Sequence, residues 1–280
     1  MGLHENPAAI ITIKTEAESV HILEEAFKEL TVALGPVVKI AQGNLQIISY
    51  NHFQLSFTAN QLDSKLAEKA FETSLKILKA AQSIKHPIDM RIGVCVGKCS
   101  SGNLGTTQSR HYMVVGKAVD TSEMFCELAS LYGSNIISDV SSFQSSEKFI
   151  ARPLDRVEYQ SNKVIVWEVL DKKNEENDEW LYELERSKEN NKFKEYAQVF
   201  QLLDEKYWDD KQETDIVGEI TKSVAVLEQF KSSDCATPVC EKLLDHFQRV
   251  LQDKSSNFNS LKDSLLGYSS SYISHKLITK

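Results

Sequence analysis

MRIGVCVGKCSSGNLGTTQSRHYMVVGKAVDTSEMFCELASLYGSNIISD, residues 90–139, is the stretch that decides the fold. It opens on an apolar run ending at Val96 and passes through GKCSSGNLG, residues 97–105. A second short apolar run, Met113–Val115, follows. From Gly116 the apolar positions recur at helical spacing over Val119–Leu131, and Asn135–Ile137 is apolar again. Read by periodicity and by glycine placement, this is strand, glycine-rich loop, strand, helix, strand.

Working outward, the same alternation continues on both sides. AAIITIK (8–14) suits a buried strand. Glu16–Leu34 places Val20, Leu23, Phe27, Leu30 and Leu34 on one helical side. NLQIISY (44–50) and FQLSFTA (53–59) read as two strands around an Asn51-His52 turn. Leu62–Ile84 is a second amphipathic helix, and RPLDRVEY and KVIVWEVL (152–159, 163–170) a terminal hairpin. The order β-α-β-β-α-β with additions predicts an α/β (α+β) domain with a ferredoxin-like core.

The charged run DKKNEEND, 171–178, reads as a linker. It divides a domain at 1–170 from a helical region at 179–280. Helices are expected over Glu179–Ser187, Phe193–Trp208, Ile216–Phe230 and Thr237–Leu251, the last two forming a helical hairpin with Pro238 at a first helical position. The Ser-rich last thirty residues are expected to fray or to depend on a partner.

Composition narrows the function classes. With 41% hydrophobic and 26% charged residues, the chain reads as globular. A net charge of −8 without a basic stripe argues against nucleic acid. No run of 18 apolar residues predicts a membrane span, and the start, MGLHENPAA, lacks the pattern of a secretory signal. The five cysteines are scattered, which fits reduced thiols and a cytoplasmic placement. Cys95 and Cys99 lack the second pair a zinc site needs.

The 90–139 stretch resembles the central motif of class III adenylyl and guanylyl cyclase domains. Arg91-Ile92-Gly93, Gly97, Gly102, Gly105, Tyr112, Gly116 and Val119 all fall in step with it. The resemblance implies the same βαββαβ core, dimeric action, and conversion of ATP or GTP to a cyclic nucleotide with two magnesium or manganese ions. The helical tail is weakly similar to the tails after many protist cyclase domains.

The residues that would do this chemistry are altered. Hard divalent cations want carboxylate oxygens. The family has one Asp ending the first strand and one in the hairpin turn. Here the first strand ends Ile13-Lys14-Thr15-Glu16, and Asn51 stands in the turn. Lys14 would repel a metal, which leaves Glu16 as the one metal candidate. On the helix after Gly116, the family's ribose-orienting Asn and transition-state Arg correspond to Asp120 and Met124. A thioether offers neither the charge nor the forked donors of a guanidinium. The base-reading positions correspond to Met113 and to Gln160-Ser161. Gly102 and Gly105 are candidates for cradling phosphate through backbone amides, though in the family this loop is a structural turn.

The reading that follows is a catalytically inactive cyclase-type subunit with a structural or regulatory role and no cofactor. It would pair with another cyclase-type domain, or dock in a larger assembly, through contacts that include Met124 and Phe125. Cilium or cytoskeleton association is a variant of the cytoplasmic placement. Two alternatives stand beside it. One is an active cyclase, using magnesium or manganese, with an atypical or partner-complemented site. The other is a non-catalytic nucleotide-binding sensor. A chain ending near Leu170 is expected to keep its fold.

Overall fold

The computed structural model describes residues 3–59, 64–106, 108–139, 148–159, 162–172, 193–208, 216–232, 238–252 and 258–268. They fall into two compact units. The first comprises residues 1–150 and 168–173; the second comprises 151–167 and 174–280. Most of the terminal hairpin thus groups with the helices.

In the first unit, β1 (His4–Glu16), α1 (Val20–Ala41), β2 (Asn44–Ser49), β3 (His52–Thr58), α2 (Ser64–Gln82) and β4 (Asp89–Gly105) follow in order. Then come β5 (Arg110–Val115), α3 (Lys117–Tyr132) and β6 (Ile136–Asp139). The strands lie in the order β2-β3-β1-β4-β6, with β5 paired to β4. β1 is antiparallel to both β3 and β4, so each βαβ connection is split by an intervening strand, as in the ferredoxin-like arrangement. β6 joins β4 in parallel, Ile92 opposite Ile136.

Alternation along β1 separates two layers. Ala9, Ile11 and Ile13 point into a core with Leu30 and Leu34 of α1 and Ala70, Phe71 and Ile77 of α2. Thr12 faces the other way and meets α3, where its hydroxyl lies 2.8 Å from Ser122 Oγ, both side chains buried. Gly93 makes that approach possible. A Cβ there would sit 2.0 Å from the Ser122 carbonyl oxygen and 2.4 Å from the Cys126 nitrogen.

Two sequence expectations change here. Residues 97–105 are not a loop but the second half of a 17-residue strand, laddered to β1 and to β5. α1 starts at Val20, after the Ser19 cap, and runs past Pro36 to Ala41. Pro36 cannot donate to the Val32 carbonyl; Val32 is 77% exposed, so water can serve that carbonyl instead.

The second unit holds most of the hairpin β7 (Phe149–Tyr159) and β8 (Asn162–Lys172). With it are helix α4 (193–201), α5 (Ile216–Lys231), α6 (Pro238–Gln252) and α7 (Phe258–Leu266). Tyr196 stacks on Phe230 at 4.0 Å and meets Phe200 edge-on at 5.3 Å. These aromatics are core, as expected. The single helix expected over Phe193–Trp208 instead breaks after α4 and resumes as a short 3-10 turn, Glu205–Trp208. α7 forms inside the Ser-rich stretch that was expected to fray. The helix expected at Glu179–Ser187 and most of the linker lie outside the described residues.

Candidate functional site

The end of β1, the β2–β3 turn and α3 bring the expected site positions together. Register places Lys14 opposite His52 on one side and Arg91 on the other. Three basic side chains thus form a row across three strands, on the face that carries α3. Lys14 Nζ pairs with Glu127 Oε1 at 3.2 Å and Glu123 Oε1 at 3.4 Å, one turn apart on α3. Burial pulls the Lys14 pKa down, but Glu127 and then Glu123 outweigh it and leave the pKa raised. The lysine is therefore a fixed cation.

Asn51 is engaged by its own turn and by β1. Its carbonyl accepts the Thr15 N–H at 3.0 Å, and its side-chain oxygen accepts from Ser49 Oγ at 2.7 Å. His52 Nε2 is buried without a hydrogen-bond partner. Burial and then Lys14 lower the His52 pKa, so the imidazole is held neutral. Glu16 lies two residues beyond Lys14 and accepts a long contact from Ser130 Oγ, 3.5 Å. Opposite Glu16 stands Asp89. Among the described residues, no group of three or more His, Cys, Asp or Glu side chains is placed to hold a metal ion.

The α3 positions diverge. Asp120 is exposed in the first turn. Met124 and Phe125, expected at an interface, are 3% and 0% exposed. This places them in the core, because α3 packs on β1 and β4 through consecutive side chains and not along one stripe. Gly102 and Gly105 belong to the β4–β5 ladder, opposite Met113 and Arg110. Their amides therefore belong to strand and turn geometry and not to an open cradle. Gly105 adopts φ 133°, and Thr106 N–H closes the turn onto the Ser109 carbonyl at 2.9 Å. Met113 is 42% exposed. Gln160 and Ser161 lie outside the described residues.

Sequence reasoning placed Lys14 and Asn51 together but missed Glu123 and Glu127 as partners. Their i, i+4 spacing was the available signal. It also missed an apolar surface. Ile47, Ile48 and Tyr50 at the end of β2 are each about half exposed, at 53%, 54% and 49%. Gln46 Nε2 donates to the Tyr112 carbonyl at 2.6 Å and so brings β2 beside β5, where Met113 and Val115 are also exposed. In the second unit, a cleft of about 300 Å³ is lined by Glu195, Tyr207, Glu219 and Lys222 among others. None of the expected site residues lines it.

Residues 44–170 match the adenylate and guanylate cyclase catalytic domain family. Among solved structures, the chain is similar to the adenylyl cyclase CyaB from P. aeruginosa, with 16% identity and a TM-score of 0.50. That match covers 63% of this chain and 100% of that one. It is similar also to the guanylate cyclase domain of RhGC from Catenaria anguillulae, solved with GTP. There the identity is 19% and the TM-score 0.52, covering 61% and 100% of the two chains. A third is the dimeric guanylyl cyclase domain of the RhoGC fusion protein from Blastocladiella emersonii, at 18% identity and a TM-score of 0.50, covering 61% and 99%. Among curated proteins, none matches by sequence. At these identities the structural likeness is one of fold. No helix among the described residues is long and apolar enough to cross a membrane.

Proposed function

From the class III cyclase homology of residues 44–170, we propose that this chain is a catalytically inactive cyclase-type subunit that pairs with another cyclase-type domain and serves a structural or regulatory role. The observation that carries the reading is Lys14. Its ammonium, ion-paired to Glu123 and Glu127, stands beside the turn where the family resemblance calls for metal-binding carboxylates. A fixed positive charge repels a second cation at that distance and needs no metal to balance the two glutamates. Met124, in place of a charge-stabilising arginine, is buried and apolar. Loss of one preorganised donor costs enzymes about 10²–10³ in rate, and here several elements are replaced together.

Pairing is supported by the exposed apolar side chains on β2, its turn and β5: Ile47, Ile48, Tyr50, Met113 and Val115. Exposed apolar side chains gathered on neighbouring strands mark interaction sites. Docking in a larger assembly, with cilium or cytoskeleton association as one setting, is the second form of the same proposal.

One preparation tests both parts. The purified chain is incubated with ATP or GTP and magnesium or manganese, then sized alone and with candidate cyclase domains. The expected result is no cyclic product and a complex that Ile48→Asp abolishes. Metal-dependent cyclic nucleotide above a heat-denatured control overturns the inactive reading. A monomer under every condition, indifferent to Ile48→Asp, overturns the pairing.

A further inference from the structure

Asp155 lies in β7 with no exposed surface. Its carboxylate accepts the Arg156 N–H at 2.8 Å and the Tyr268 hydroxyl at 3.1 Å. Tyr268 comes just after α7, 113 residues further along the chain, and is 7% exposed. Its ring lies 5.2 Å from that of His246 on α6. Burial and then Asp155 push the Tyr268 pKa up, so the phenol keeps its proton and remains a donor.

A second set of bonds converges two residues earlier. The Leu266 carbonyl, at the C-terminal end of α7, accepts from Arg156 Nη1 at 3.0 Å and Lys163 Nζ at 2.8 Å. Arg156 is in β7 and Lys163 in β8, so both arms of the hairpin grip one carbonyl. The last carbonyls of a helix lack intrahelical donors and carry partial negative charge, which two cations offset. α7 has nine residues, below the roughly 12–15 at which an isolated helix is even marginal in water. It holds its shape through these contacts and through Leu265, which is fully buried.

We propose that α7 and Tyr268 form a latch on the β7–β8 hairpin. Seated, the segment completes the partners of buried Asp155 and Arg156. Drawn away by a binding partner, it loses its helix and the hairpin loses its order. Because the hairpin falls within the cyclase-homologous residues 44–170, the latch links the state of the tail to that region. The device needs neither catalysis nor pairing, so its test stands apart from the test of the proposed function.

Amide hydrogen exchange on the full chain tests it, comparing wild type with Tyr268→Phe, Asp155→Asn and the double variant. Losing a hydrogen bond to a charged group should speed exchange at residues 151–159 by about ten- to a hundredfold. Amides of β1 and β4 should stay as protected as before. The double variant should exchange at about the rate of the faster single, since both act on the same Asp155–Tyr268 bond. Deleting residues 258–280 should reproduce the Tyr268→Phe pattern in stronger form. Unchanged hairpin exchange in Tyr268→Phe or in the deletion overturns the latch. So does a rise shared equally by β1 and β4, which would mean general loss of stability and not release of a local device.

Discussion

Thr12 and Lys14 stand two residues apart on β1, on the same face and under the same helix, yet different physics holds them to α3. Thr12 lies opposite Gly93 at a seam closed by volume. The hydroxyl pair with Ser122 is buried, and the helix backbone comes so near β4 that no side chain fits between them. Lys14 lies at the open end, with its side chain 27% exposed, and meets the helix by charge. A packed seam accepts few alternatives, since close-packed interiors feel even one added carbon. A half-solvated ion pair can be exchanged for another set of charges once the partners change together. Packing and charge thus set different tolerances to change within a single strand.

The comparison breaks most sharply at Gly93. Gly93→Ala should drive a Cβ into the α3 backbone and cost about 3 kcal/mol or more, at the upper end for overpacking. Urea denaturation should show a large drop in midpoint, or the protein should fail to fold. A midpoint near wild type would show that α3 can lift from the sheet, and the seam would not differ from the open end.

Lys14→Ala should have a smaller effect, about 1 kcal/mol, since partly exposed ion pairs contribute little. Glu123 and Glu127 would then repel one another across one helical turn. Raising the salt concentration should narrow the gap between variant and wild type. A loss as large as that of Gly93→Ala, and insensitive to salt, would mean that Lys14 is held by packing.

The smallest effect is the pH dependence at His52. Its folded pKa lies below the ordinary 6.5 because burial, and then Lys14, disfavour the charged ring. The unfolded state therefore binds the proton first as pH falls, so stability is full above about 6.5 and declines below it. His246, lowered chiefly by burial, acts in the same direction. His52→Gln should flatten part of the decline between pH 7.5 and 5.5 in paired denaturation curves. An unchanged slope would leave His246 as the main contributor.

Much of the first unit was legible because its signals are local. The alternation in Ala8–Lys14, the Asn51-His52 turn and the glycines of Arg91-Ile92-Gly93 each fixed an element or a close approach. The misreadings arose where a distant partner decides. Residues 97–105 look like a loop by composition, yet His4–Pro7 and β5 supply both ladders. Met124 and Phe125 look like a contact face until α3 is seen packed on β1 and β4. Lys14 and Asn51 could be read directly, but the glutamates that neutralise Lys14 lie 109 and 113 residues away from it. In the tail, serines masked α7, which packs against α5 and α6 and is bonded at its end by the hairpin. For the same reason a chain ending near Leu170 would leave Asp155 without Tyr268.

The 113-residue separation between Asp155 and Tyr268 also has a duration. Chains are synthesised at about 5–20 residues per second, and domains fold largely in order of emergence. The partners of β1 through β6 are all available once the first unit has emerged. β7 must then wait on the order of ten seconds for the phenol that its buried carboxylate requires. Over that interval Asp155 lacks its Tyr268 bond and Arg156 its bond to the Leu266 carbonyl, which makes the newborn hairpin a part of the molecule open to a chaperone or to a neighbouring chain.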